Sequence, residues 1–135
     1  MNLLTKLSCA FASGVVGAVV LDCIEALIYG NPSLVAFKTG LYQDCVWGGV
    51  WGGVWALLLV LPFLKEKWFI RGSIIGVVVI FFNYLVLSPL KGHGYFSSNL
   101  PLYEAVGNLL NYIWGIAAAF WFYIISKNNK YDKNV

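Results

Sequence analysis

The sequence predicts an all-α membrane protein: a four-transmembrane-helix bundle with both termini cytoplasmic. Three observations carry that expectation. Of 135 residues, 60% are hydrophobic and only 11% charged, where soluble domains carry about a quarter charged, and the mean hydropathy is +0.76. Four apolar stretches approach the ~20 residues that cross ~30 Å of hydrocarbon. These runs are continuous rather than alternating, so they read as helices and not as strands of a barrel. Finally, Lys6, Lys65, Lys67, Arg71, Lys127, Lys130 and Lys133 fall on one side of the four crossings, and only Lys38 and Lys91 on the other. In short loops that bias puts the rich side, with both termini, in the cytoplasm.

The first span is residues 8–29. It is too long for the h-region of a signal peptide and has no Ala-x-Ala cleavage site followed by a polar chain. Ala10, Gly14, Ala18, Asp22 and Ala26 recur every four residues, and Glu25 lies one turn from Asp22. Residues 30–43 open on Gly30, Asn31 and Pro32, and their LVAF segment suggests an interfacial or re-entrant connection.

The second span, 44–64, contains VWGGVWGGVWA. As a helix it sets Trp47, Trp51 and Trp55 on one face, with Gly48, Gly52 and Ala56 on the neighbouring stripe and Gly49 and Gly53 beside them. In a soluble helix each glycine would cost roughly 1 kcal/mol relative to alanine. In a bilayer the same residues let a second backbone come close.

Residues 65–71 form a basic connection with an interfacial Trp68. The third span, 72–90, carries Gly72 and Gly76 at packing distance and Asn83 in its second half, and Ser88–Pro89 marks its end. A Gly-rich loop, 91–101, holds the only histidine, His93. The fourth span, 102–126, has the stripe Tyr103, Gly107, Asn111, Gly115 and Ala119, with Glu104 and Asn108 adjacent. The tail, 127–135, is polar and reads as disordered. Residues 1–126 thus form one domain.

Orientation turns scattered polar residues into a pattern. Asp22, Glu25, Asp44, Asn83, Glu104, Asn108 and Asn111 all fall in the outer half, with Lys38, Lys91 and His93 in the outer loops, whereas Glu66 and Asp132 are the only cytoplasmic acids. Ionisable groups in a membrane cost at least ~2.5 kcal/mol each on insertion scales, so they face the bundle interior and take partners. A single such acid is ordinarily a tie between helices. Acids and amides converging from several helices point instead to a binding pocket, and two carboxyl groups one turn apart compete for one proton. The expected function is binding or transport of a small cationic or polar solute, or of protons. The alternative is a non-catalytic accessory or scaffold subunit of a larger membrane complex, with a membrane enzyme third.

Other chemistry has less to stand on. No Ser-centred elbow, HExxH, phosphate loop or paired-cysteine motif is present, so no catalytic residue is expected. Ser97–Ser98 beside His93 lack a third orienting group. A loop histidine between glycines is more often an exposed side chain than a ligand. Cys9, Cys23 and Cys45 form no disulfide framework. No metal or cofactor is expected, and the +3 net charge implies no nucleic acid. The expected partners are the lipid bilayer and either further copies or a larger membrane complex.

SGVVGAVVLDCIEAL in the first span, WGGVWGGVWALL in the second and N-x-x-x-G in the last resemble the YagU-like small bacterial inner-membrane proteins. The resemblance implies a bacterial inner (plasma) membrane and leaves the mechanism open.

Overall fold

The computed structural model describes residues 2–29, 46, 48–63 and 67–131, with the backbone alone at Ala26, Tyr29, Tyr103, Glu104 and 129–131. The connection at 30–43 with Lys38, and also Asp44, Cys45, Trp47, Lys65, Glu66, Asp132 and Lys133, lie outside the described residues. Among the described residues the regular structure is helical, with no strand.

Helix α1 (Leu3–Tyr29) starts five residues earlier than its apolar run. Asn2 explains the early start. Its Oδ1 accepts hydrogen bonds from the Thr5 backbone N–H at 2.8 Å and the Thr5 hydroxyl at 2.7 Å, closing the open first turn as an N-cap does.

Helix α2, described over Gly48–Val60, is apolar, and that described part is shorter than a span. It tightens into a 3₁₀ turn over Leu57–Val60 and stops at Leu61, whose φ/ψ of −58°/141° is extended. Leu61 precedes Pro62, and the proline ring excludes the helical conformation from the residue before it. The second expected span therefore ends at Val60 rather than Leu64.

Helix α3 (Trp68–Phe82) begins inside the stretch expected as a basic connection, so Arg71 belongs to a helix. It runs on through a wide π-helical turn at Asn83–Leu87 and one α-turn at Ser88–Leu90. Helix α4 (Asn111–Tyr131) is preceded by the α-turns Leu102–Gly107 and a tight 3₁₀ step at Asn108–Leu110. It passes Ser126, so the first part of the expected disordered tail is helical.

Among the described residues three helices are long and apolar enough to cross a membrane: Leu3–Glu25, Trp68–Leu90 and Ala105–Asn128. Only 28%, 22% and 28% of their most apolar windows are buried within the chain. The remainder presents apolar side chains outward, which suits lipid and not water. This is a multi-pass membrane protein.

Helix α4 packs along both α1 and α3. Small residues make the crossings close. A Cβ on Gly72 would lie 2.6 Å from the Gly115 carbonyl oxygen, and one on Gly76 3.0 Å from the Tyr112 Cα, so α3 and α4 run antiparallel with their backbones in contact. Gly14 meets Gly52 and Ala56 across α1–α2, while Phe11 covers Gly53 and Val15 faces Gly49. Trp114 crosses from α4, and its Nε1–H donates to the Gly14 carbonyl at 3.0 Å. Alanines make up much of the core around it, with Ala10, Ala18, Ala56, Ala118 and Ala119 buried. Gly48 differs from the other glycines of its repeat: none of the described residues lies within 4 Å of a Cβ placed there. The tryptophan face also divides. Trp55 packs edge-on against Phe82 at 4.9 Å, whereas Trp51 points outward with 58% of its surface exposed.

Candidate functional site

The cytoplasm-distal end expected for the polar pocket is built by the way α3 stops. Pro89 has no N–H to donate, and its ring crowds the carbonyl four residues back. The turn just before it is the wide one, Asn83–Leu87. The helix then closes with Lys91 N–H donating to Leu87 O at 3.0 Å and Gly92 N–H to Pro89 O at 3.0 Å. Gly92, at φ +77°, turns the chain in the left-handed conformation that suits a helix C-terminus.

The loop beyond folds back on the helix end. His93 N–H donates to Ser88 O at 2.9 Å, and Asn99 N–H to His93 O at 3.0 Å. Phe96 and Ser97 both sit at positive φ, 54° and 55°, which costs on the order of 1–3 kcal/mol each for residues with a Cβ. Two contacts hold them. The Phe96 ring lies 5.7 Å from that of Tyr84, whose hydroxyl also donates to Ala105 O at 2.7 Å and ties α3 to the approach to α4. Ser97, only 1% exposed, joins a hydroxyl chain.

The direction of that chain follows from counting protons. Ser88 Oγ–H donates to Gly94 O at 2.8 Å, so across the 2.9 Å Ser88–Ser97 contact Ser97 is the donor. Asn108 Nδ2–H in turn donates to Ser97 Oγ at 3.4 Å. With its proton given to Ser88, Ser97 is a brace for the loop and is not paired with His93 as a nucleophile.

These elements enclose a cleft of about 230 Å³ lined by Asn83, Ser88, Lys91, His93, Ser97 and Asn108, with Leu87 and Leu100 as apolar walls. Both hydroxyls are engaged with each other, but among the described residues no hydrogen bond or ion pair is made by the side chains of Asn83, Lys91 or His93. The described lining thus holds two basic groups and no carboxylate.

Of the residues singled out in the sequence, Asn83, Asn108 and His93 come together in this cleft. Asn111 lies just below it, half-buried, donating to Asn108 O at 3.0 Å. Asp22 and Glu25 are half-buried on α1 and each is engaged by a neighbour. Gly17 faces Trp114 and Ala118 on α4, and Asp22 rises about 7.5 Å further along the antiparallel α1, toward the same end. Neither acid is in the described lining. Asp44 and the side chain of Glu104 are outside the described set. Among the described residues no three His, Cys, Asp or Glu side chains gather as metal ligands.

Of the expected packing glycines, Gly14, Gly49, Gly52, Gly53, Gly76 and Gly115 sit at helix contacts. Gly48 does not, and Gly107 closes the α-turns before the 3₁₀ step. Sequence reasoning missed Ser88 as a lining residue and placed Lys91 only in an outer loop. The readable signal was Ser-Pro at a helix end followed by Gly-His-Gly, which returns the loop over the serine.

Arg71 was also missed. It is 5% exposed, donates to the carbonyls of Leu59 and Leu61 at the end of α2, and lies over the rings of Phe63 at 5.2 Å and Phe122 at 5.8 Å. A cation there complements the negative end of the α2 dipole. No protein-family model, curated protein or solved structure matches the chain.

Proposed function

We propose that this is a four-crossing protein of a bacterial inner membrane, with both termini cytoplasmic, that binds or transports a small polar solute through a pocket in its outer half. The observation that carries this reading is the cleft at the α3–α4 end, where the side chains of Asn83, Lys91 and His93 are unengaged among the described residues. The seven-to-two distribution of Lys and Arg supports the orientation. Asp22 and Glu25, at the same end on α1, are the residues that would couple proton or cation movement to the solute. A bundle this small encloses little pathway of its own, so a transporter built from it works as a homo-oligomer.

The test uses proteoliposomes with an entrapped pH dye and an imposed membrane potential. Wild type should move protons, and the Asp22→Asn/Glu25→Gln pair and the Asn83→Ala/Asn108→Ala pair should each lower that flux at least tenfold while eluting as folded protein. Unchanged flux in both pairs would sink the proposal.

One observation favours a second reading, an accessory subunit. The α2 face with Gly48, Val50, Trp51 and Val54 is exposed and covered by none of the described residues. Stoichiometric co-purification with a larger complex in mild detergent would favour the subunit, and a homo-oligomer alone the transporter.

A further inference from the structure

We infer that the cleft takes an oxyanion of the phosphate type, held by Lys91 and His93 with the Asn83 amide, and presented by a lipid headgroup or a free phosphate. The inference rests on the polar-solute reading above and adds the charge of the ligand and the groups that hold it.

Three independent features converge. The first is chemical. The hydroxyl groups of Ser88 and Ser97 are committed to each other and to Gly94 O, so among the described lining residues the unengaged side chains that can meet a ligand are an ammonium, an imidazole and a primary amide. All three donate N–H bonds, and two of them are basic. A cation would meet repulsion there, and an anion finds charge-assisted hydrogen bonds.

The second is mechanical. His93 is carried between Gly92 and Gly94, both at positive φ, and its own backbone is pinned on either side by Ser88 and Asn99. A Cβ on Gly94 would strike the Ser98 hydroxyl, so the loop is folded tightly at that point. The backbone that carries His93 is thus set in place before a ligand arrives, which lowers the ordering cost of binding.

The third is position. The cleft opens where the Trp68–Leu90 span ends. Around it Leu90, Tyr95, Phe96 and Leu102 are 77%, 66%, 55% and 80% exposed. Apolar and aromatic side chains so exposed beside a basic cleft are suited to the headgroup layer, where aromatic rings sit at the membrane–water boundary. A phosphate in that layer lies at the height of the donors.

The experiment uses the full chain in phosphatidylcholine nanodiscs. One arm titrates inorganic phosphate and follows it by calorimetry. The other scores retention of phosphatidylglycerol against phosphatidylcholine by native mass spectrometry. At least one arm should show binding that Lys91→Gln and His93→Gln each weaken by about tenfold, or 1.4 kcal/mol, and that Lys91→Arg restores. Retention of phosphatidylglycerol alone supports the headgroup source, and phosphate binding alone the soluble one. Binding in neither arm, or binding that both glutamine variants leave unchanged, overturns the inference. Parallel titrations with myo-inositol and tetramethylammonium separate the two levels. Binding of either, sensitive to Asn83→Ala, with no oxyanion binding would remove the inference and leave the polar-solute reading standing. Thermal melts of each variant establish that it is folded.

Discussion

Arg71 shows how much one residue can depend on its place in the fold. By count it is one of the seven Lys and Arg residues expected on one side of the membrane. In the structure it is a buried tie from α3 to the carbonyls of Leu59 and Leu61 at the end of α2, sandwiched by two phenylalanine rings, and its Nε has no partner among the described residues. Hydrogen bonds from a charged donor contribute about 1.5–3 kcal/mol. Arg71→Ala should lower stability by that amount, read as a drop in melting temperature in detergent. Arg71→Lys should recover only part, because a single ammonium lacks the planar fork that reaches two carbonyls. Ser97 supplies a sharper contrast. Its hydroxyl braces the loop while its positive φ opposes a side chain. Ser97→Ala loses the brace and keeps the strain, whereas Ser97→Gly loses the brace and sheds roughly 1–2 kcal/mol of left-handed strain. The glycine variant should therefore melt above the alanine variant, and the reverse order would contradict the assigned backbone.

At the scale of elements, the four-residue repeats were legible in the sequence but their uses were not. Gly14, Gly52, Gly72, Gly76 and Gly115 are places where one helix backbone touches another. Gly48 belongs to the same repeat as Gly52 and touches nothing described. Periodicity identifies the stripe, and the rotation of the helix against its neighbours decides which members face them. Gly115→Ala would set a methyl 2.5 Å from the Gly72 carbonyl oxygen and 2.7 Å from the Gly76 nitrogen. It should force α3 from α4 and abolish the folded elution peak in detergent. Gly48→Ala should be neutral or stabilising by up to about 1 kcal/mol, the helix-propensity gain alone. Helix ends followed the same division. The stop of α2 at Val60 falls short of the end expected from the apolar run, because Pro62 governs the residue before it. The extension of α1 back to Leu3 depended on the Asn2 cap, and the wide turn before Pro89 on how α3 accommodates its proline.

For the whole molecule, the membrane class rests on composition and the topology on charge. Replacing Cys9, Cys23 and Cys45 by serine and adding single cysteines tests the topology directly. Ser98→Cys, exposed in the cleft loop, should react with a membrane-impermeant maleimide on intact cells. Lys127→Cys, exposed at the far end of α4, should react only after permeabilisation. The opposite labelling pattern would reverse the orientation and move the cleft to the cytoplasmic side. The polar residues of the cleft were half legible. Asn83, Asn108 and His93 stood out as polar groups in or beside apolar runs, and they do meet. Lys91 and the two serines did not, because nothing in a loop's composition tells which side chains it folds inward.

The sequence by itself determined that this chain is helical and spans a membrane, because continuous apolar runs and scarce charge act locally and need no partner to be read. It also determined that polar groups cluster toward one end. Only the tertiary structure decided that Arg71 is buried, that Gly48 meets none of the described residues, and that the described cleft lining is basic. Each of these depends on which surfaces meet. Trp114 reaches a carbonyl one hundred residues away at Gly14, and the α3–α4 loop is held by bonds across a left-handed turn. Contacts of that range come from how helices rotate and cross, and no local pattern of residues encodes them on its own.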